Sequence, residues 1–500
     1  MLRILGSHQR LCSGWTRREM LAVGGLAPLS LGLADWLQMQ EYSAASTDRS
    51  GFGRAKRIIL LYLMGAASQY ETFDPKPEAP AEIRGEFGPT QTALPGLAIC
   101  DRLPKLAQVA DRVAVVRSMS HPHNNHSNVY TLTGRPAVDF GSETSPYDHR
   151  HWPFFGSMLQ YLARRKDALA PISEIPNNIA LPFPLSRRNF IQRGGPYGGF
   201  LGRTYDPVWT EFEGKATRSV MRDSAFGGAE FSVRDPYLGI TPESRLSISR
   251  GGSLQPGMTL DRLDWRRNLL GQLDIAHRAA DESMSGQSLD RFQQMAWSLI
   301  TSKKVREALD VAREPMATRE RYGMTLFGQA TLAGRRLLEA GAPMVSVMWD
   351  EIDAINSAWD THFRIFSRLG DELLPGLDGA LSSLIVDLDE RGMLDETLVL
   401  CLTEHGRSDK LIPRQHGPGR DHSSSVYSVL LAGGGIARGT VIGASDERGA
   451  AVKRDPVTPE DILATMYHLA GVDHTMTIPD RLERPAAIVA EGDVVQALLA

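Results

Sequence analysis

The sequence predicts an α/β protein: a doubly wound, mostly parallel sheet flanked by helices, with a helical insertion. Three observations carry this. Several short apolar runs are continuous rather than alternating, which suits strands covered on both faces. Segments with helical periodicity and recognisable end signals lie between them. The composition is that of a folded chain, with 500 residues, 42% hydrophobic and 23% charged, enough for a sizeable core.

Ile58–Met64 is the first apolar run and ends at Gly65-Ala66-Ala67. Val113–Val116, Val345–Met348, Thr397–Leu402 and Val426–Leu431 read as further buried strands. Leu373 to Leu388 repeats apolar residues at helical spacing, and Arg391-Gly392 supplies the stop. Thr458 is placed to cap a helix, with Pro459 in its first turn and Glu460 and Asp461 following. Residues about 140–250 are rich in Gly, Pro, Arg and Ser and read as loops over the active-site face. Residues about 258–340 read as a helical cap. Together they form a loop-rich and helical insertion at about 140–340.

Residues 1–50 read as an export leader and linker, and 51–500 as the folded domain. Arg17-Arg18 stands directly before the apolar stretch Leu21–Leu33, the arrangement of a twin-arginine signal. That stretch is too short for a membrane span. The expectation is export to the periplasm or beyond, with membrane attachment only through an uncleaved leader. A net charge of −4 without a Lys/Arg stripe leaves no electrostatic footprint for nucleic acid. Three cysteines provide no disulfide framework and no CxxC zinc site. Cys401 falls inside an apolar run, where cysteine acts as a small filler.

The chemistry is concentrated near the C-terminal end. Asp360 and His362 stand in WDTH, Glu404 and His405 in TEHGRSDK, and Asp421 and His422 in GRDHSSS. Acids and imidazoles each cost solvation free energy in a pocket. One such pair alone reads as a buried salt bridge or cap. Three segments repeating the combination read as hard and borderline ligands for a divalent ion at strand ends. In an extended D-x-H segment, Asp360 and His362 point the same way and can share one ion. Gly417-Pro418-Gly419 allows close backbone approach before His422. An earlier loop gathers His121, His123 and His126, then Ser127 and Asn128, in a chain with 13 histidines in all.

The strings TRREML, LLYLMGAASQYETFDPKPEAPAEIRGEF, HPHNNHSNVYTLTGR, WDTHF, TEHGRSDK, GRDHSSS and PVTPEDILATMYHLAGVD resemble the DUF1501 family over nearly the whole chain after the leader. That family is similar in turn to the alkaline phosphatase and sulfatase superfamily, whose members hydrolyse phosphate or sulfate esters with divalent metals. The resemblance implies an alkaline phosphatase/sulfatase-like fold. It aligns Glu404-His405-Gly406 with the superfamily's Asp-His-Gly, Asp360 and His362 with earlier metal ligands, and His422 with the final histidine ligand. It implies Zn, Ca, Mg or Mn as cofactor and an anionic ester as substrate, sulfated polysaccharide included. Asp360, His362 and His422 would hold one ion, and Glu404 and His405 a second, with His126. Ser127 and His126 are the candidate catalytic residues, attack by Ser127 or directly by metal-bound water both being open, and Arg407, Arg420 or Arg135 would neutralise the anion. Two departures stand out. Gly65-Ala66-Ala67 occupies the place of an expected Asp ligand, and counting back from Leu132-Thr133-Gly134-Arg135 to the nucleophile position lands near Asn124. The alternative is a non-catalytic exported binding or assembly protein that keeps the fold.

Overall fold

Alternation along the first apolar run splits its side chains between two cores. Arg57–Leu63 forms β1. Ile59, Leu61 and Leu63 enter one buried cluster, and Ile58, Leu60 and Tyr62 enter the other. A strand buried on both faces must be apolar throughout, which is why the run shows no polar alternation. The computed structural model describes residues 50–167, 173–185, 192–223, 230–248, 302–352 and 356–500. The leader with Arg17-Arg18, and residues 258–301 of the expected helical cap, lie outside them.

Among the described residues nine strands form one sheet. After β1 come β2 (Val113–Met119), β3 (Asn178–Leu181), β4 (Val208–Glu213), β5 (Arg245–Ile248), β6 (Met344–Trp349), β7 (Thr397–Thr403), β8 (Tyr427–Ala432) and β9 (Thr440–Ile442). Their order is β9-β2-β8-β7-β1-β6-β3-β4-β5. Every strand except β5 and β8 runs in the same sense. The sheet is therefore mixed and mostly parallel, as the sequence predicts.

Helices cover both faces. Those used below are α1 (Asn128–Thr133), α2 (Phe155–Lys166), α3 (Leu326–Ala340), α4 (Leu374–Glu390) and α5 (Pro459–Leu469). α3 and α4 bury their apolar stripes in the cluster that holds Ile59 and Leu61. α2 and α5 bury theirs in the opposite one. Thr458 caps α5 as expected: its hydroxyl accepts from the Asp461 amide while the Asp461 carboxylate accepts from the Thr458 amide.

The stretch 140–250 differs from expectation. Instead of only looping over one face it contributes β3, β4 and β5 to the sheet. These strands have four to six residues, and β4 (VWTEFE) buries only alternate positions, so no continuous apolar run marks them. α3 likewise packs as a layer of the main core rather than a cap. No helix among the described residues is long and apolar enough to cross a membrane.

Candidate metal centre

Register brings the chemistry to one edge. Leu63 of β1 stands level with Trp349 of β6 and Thr403 of β7. The segments that follow these parallel strands therefore leave the sheet together at its C-terminal edge, where ligands collect in such folds.

Each polar cluster is fixed there by its own local chemistry. Trp359 is fully buried, its ring edge-on to Trp349 at 5.4 Å, and its amide donates to Met64 O at 2.8 Å. This plants Asp360 beside the end of β1. Arg368 holds the same loop through the carbonyls of Ala358 and Asp360. Gly419 passes so close to His362 that a Cβ there would lie 1.8 Å from the His362 carbonyl oxygen; only glycine fits. Gly406–Arg407 and His422–Ser423 form a short antiparallel ribbon with Arg407 opposite His422, which returns His422 to the centre.

Two trios of ligand atoms result, each within 4.8 Å: Asp360/His362/His422 and His126/His405/His422. In the first, His362 Nε2 and His422 Nε2 are 3.1 Å apart, and Asp360 Oδ1 is 3.2 Å from each. Donor atoms on a shared ion at about 2.0–2.2 Å stand roughly 3.0–3.5 Å apart, so this triangle fits a divalent ion. Asp421 Oδ1 lies 3.0 Å from His362 Nδ1, the outer carboxylate that orients a ligating imidazole. In the second trio, His405 Nδ1 donates to Gly406 O at 2.9 Å. This leaves Nε2 as a bare acceptor, buried and with no hydrogen-bond partner among the described residues. Such an orphaned lone pair is costly unless something occupies it.

Electrostatics agree with that chemistry. Burial raises the Asp360 carboxyl, but the Arg407 guanidinium, with His126 and His422, holds it well below the usual carboxylate range. Glu404 is likewise opposed by burial yet brought down to about 2 by His126. Burial pushes His405 well below the ordinary imidazole value and lowers His422 too. Ionised carboxylates and neutral imidazoles are the protonation states that ligation requires. His126 behaves oppositely. Burial would lower it, but Glu404 and Asp360 outweigh burial and push it up to about 10. Its Nδ1 lies 2.7 Å from Glu404 Oε1, and its Nε2 lies 3.6 Å from Asp360 Oδ2.

The expected site residues thus divide. Asp360, His362, His405, His422 and His126 converge. Glu404 is adjacent: its Oε1 accepts from the Gly65 amide at 3.0 Å and from His126, its Oε2 is buried with no hydrogen-bond partner among the described residues, and Glu404 belongs to neither trio. Ser127 Oγ is buried without a hydrogen-bond partner among the described residues, so no base activates it. Arg407 and Arg420 do not present free guanidinium faces. Arg407 is fully buried and donates to the carbonyls of Gly65, Ala66, Trp359 and Arg420 and to Asp360. Arg420 is fully buried against Glu71 and the carbonyls of Ile83, Ser408 and Asp409. Both are frame rather than anion clamp, because their donors are taken before any substrate arrives.

Two residues have roles that the sequence reading did not assign, His121 of the histidine loop and Gln69. His121 Nε2 donates to the Glu404 carbonyl at 2.7 Å and takes the His123 amide on Nδ1, fixing the turn after β7. Gln69 grips Arg407 on both sides, accepting from its amide at 3.0 Å and donating to its carbonyl at 2.9 Å. A lone glutamine carries no sequence signal for this.

Three solved structures are similar to this chain at low identity. The sulfatase PsFucS1 from Pseudoalteromonas sp. shares 13% identity, with a TM-score of 0.39 over 90% of this chain and 72% of that one. The phosphonate monoester hydrolase SpPMH from Silicibacter pomeroyi shares 14%, with a TM-score of 0.34 over 89% and 76%. Ps i-CgsB, solved with k-i-k-neocarrahexaose, shares 11%, with a TM-score of 0.38 over 83% and 72%. No curated protein matches the chain. Residues 55–499 match the family described as protein of unknown function (DUF1501), and the chain belongs to that family.

Proposed function

We propose that this protein is a metal-dependent hydrolase of phosphate or sulfate esters, acting after export by the twin-arginine route in the periplasm or beyond. The observation that carries the reading is the Asp360/His362/His422 triangle with its 3.1–3.2 Å sides. Its donor set of one carboxylate and two imidazoles suits Zn or Mn, and the carboxylate admits Mg or Ca. A bound ion supplies Lewis-acid polarisation of an ester oxygen.

The residues supply the rest. His126 keeps a proton between Glu404 and Asp360, so its Nε2–H is the candidate general acid for the leaving-group oxygen. Glu404 and Asp360 hold that imidazole in position, and His121 steadies Glu404 from behind. Because Ser127 has no base against it, direct attack by water is favoured over a covalent route through Ser127. The substrate class is an anionic ester, sulfated polysaccharide among the candidates. One observation favours the alternative of a non-catalytic binding or assembly protein: Arg407 and Arg420 spend their donors on the protein itself.

The test is elemental analysis of the purified chain together with assays on p-nitrophenyl phosphate and p-nitrophenyl sulfate, with and without a chelator. Stoichiometric metal and chelator-sensitive turnover are expected. A chain without metal refutes the reading, and metal without turnover on either ester selects the binding alternative.

A further inference from the structure

We propose that Asp235, a residue outside the expected site, is the positioning residue for Asp360, acting through the side chains of Asn356 and Arg368. This inference rests on the metal reading above and names what sets that ligand in place.

The need for such a device lies in the turn before the ligand. Ala358 has φ of +49°, the left-handed region, which is unfavourable for a residue with a Cβ. Trp359 follows it into the core, and Asp360 follows that into the triangle. The local sequence does not favour this conformation: Asn356-Ser357-Ala358 places alanine, not glycine or asparagine, where the backbone turns left-handed. Contacts from elsewhere in the fold must hold it.

Two side chains supply them. Asn356 is buried, and its Oδ1 accepts from the Ala358 amide at 2.7 Å and from Arg368 Nη2 at 3.3 Å. Arg368 also donates to the Ala358 carbonyl, and its Nη1 reaches Ser357 Oγ and the Asp360 carbonyl, each at 2.9 Å. The strained residue is thus pinned at both its amide and its carbonyl, and the ligand at its carbonyl.

The orientation of the Asn356 carboxamide decides whether this works. Rotated by half a turn, it would set its NH2 group against the Ala358 amide and Arg368, donor against donor. Asp235 prevents that rotation: its Oδ2 accepts from Asn356 Nδ2 at 2.6 Å, and a carboxylate accepts but does not donate. Asp235 is fully buried and is itself immobilised. Arg222 Nη2 donates to its Oδ2 at 2.6 Å, and the Tyr237 amide donates to its Oδ1 at 2.8 Å. Arg222 continues to Glu372 through a bidentate pair at 2.5 and 2.7 Å. Tyr237 stacks on Trp349 of β6 with ring centroids 5.2 Å apart, and its hydroxyl accepts from the Asp350 amide at 3.0 Å. Asp235 is therefore fixed to the end of β6 and passes that position through Asn356 to the turn that carries Asp360. Outer groups that orient a ligand set much of a site's metal affinity.

The test is calorimetric titration of the metal-free full-length protein with Zn(II), comparing wild type with Asp235→Asn. The amide of the variant can accept or donate, so it no longer dictates the Asn356 orientation. Circular dichroism and the unfolding midpoint without the ion establish that each variant is folded. Asp235→Asn should raise Kd by about 10–100-fold. In chains that also carry Ala358→Gly, where the left-handed turn needs no holding, Asp235→Asn should change Kd by no more than about twofold. A folded Asp235→Asn with the wild-type Kd overturns the inference and leaves the metal reading standing. A loss that persists undiminished beside Ala358→Gly also overturns it, because Asp235 would then act by another route. If Asp235→Asn does not fold, Asn356→Ala removes the same link and carries the same two expectations. A wild-type chain that binds none of Zn(II), Mn(II), Mg(II) or Ca(II) refutes the metal reading and the inference with it.

Discussion

His422→Ala is the substitution that separates a metal centre from a structural cluster most directly, because both candidate trios contain His422. Its Nε2 lies 3.1 Å from His362 Nε2 and 3.2 Å from Asp360 Oδ1. Truncation leaves two ligands in either set. Loss of groups that merely orient a ligand typically costs 10–100-fold in metal affinity, so loss of the ligand itself should cost more than about 100-fold, or about 2.8 kcal/mol. The measurement is calorimetric titration of the metal-free protein, paired with thermal unfolding with and without the ion. At an ion concentration about 100 times the wild-type Kd, wild type should gain about 2.7 kcal/mol of folding stability and the variant about 0.4 kcal/mol or less. Without the ion the two should differ by roughly 1 kcal/mol at most, since His422 is only partly buried. Equal affinity and equal ion-induced stabilisation in both proteins would refute the reasoning.

Three further outcomes follow from the same contacts. Arg420→Ala should destabilise the fold by about 3–5 kcal/mol, because it strands the buried Glu71 carboxylate; urea unfolding should show Arg420→Ala/Glu71→Gln costing clearly less than the sum of the single changes, and strict additivity would show that the pair is not coupled. Glu143 is raised to about 7 by burial, against the Val129 amide that it accepts. A raised carboxyl contributes stability that is complete below its unfolded value near 4.5 and is lost as pH rises through about 7. Wild-type stability relative to Glu143→Gln should therefore fall by roughly 3 kcal/mol between pH 4.5 and 7.5, and a difference that stays flat with pH would contradict the burial argument. Gly65→Ala meets both a positive φ and the Asp360 amide, so a loss of at least about 2 kcal/mol in denaturant unfolding is expected; an unchanged midpoint would mean that this loop is not sealed.

Much of the fold was readable wherever burial imposes a residue type. β1, β6 and β7 are buried along nearly their whole length, so apolarity runs unbroken and names them. Thr458-Pro459-Glu460-Asp461 announced α5 because capping chemistry is local. β3, β4 and β5 stayed hidden, since the last two lie toward the sheet's edge, all three are short, and half of the β4 side chains face outward. In the site, Asp360, His362, His405 and His422 were identifiable by residue type and spacing. The roles of Arg407 and Arg420 were not. A guanidinium near acids reads the same whether it waits for an anion or is already saturated by carbonyls, and only the carbonyl positions distinguish the two.

By itself the sequence determined where acids and imidazoles cluster and which strands form the middle of the sheet, because both follow from solvation: apolar runs must be buried, and clustered acids and imidazoles must be satisfied. Only the tertiary structure decided how those residues stand against one another. That arrangement depends on His422 being shared by two trios, on Gly65 lying against the Asp360 backbone, and on Arg407 donating to oxygens from three separate segments. These are distances between residues far apart in the chain, set by strand register and loop packing, and residue spacing along the sequence does not contain them.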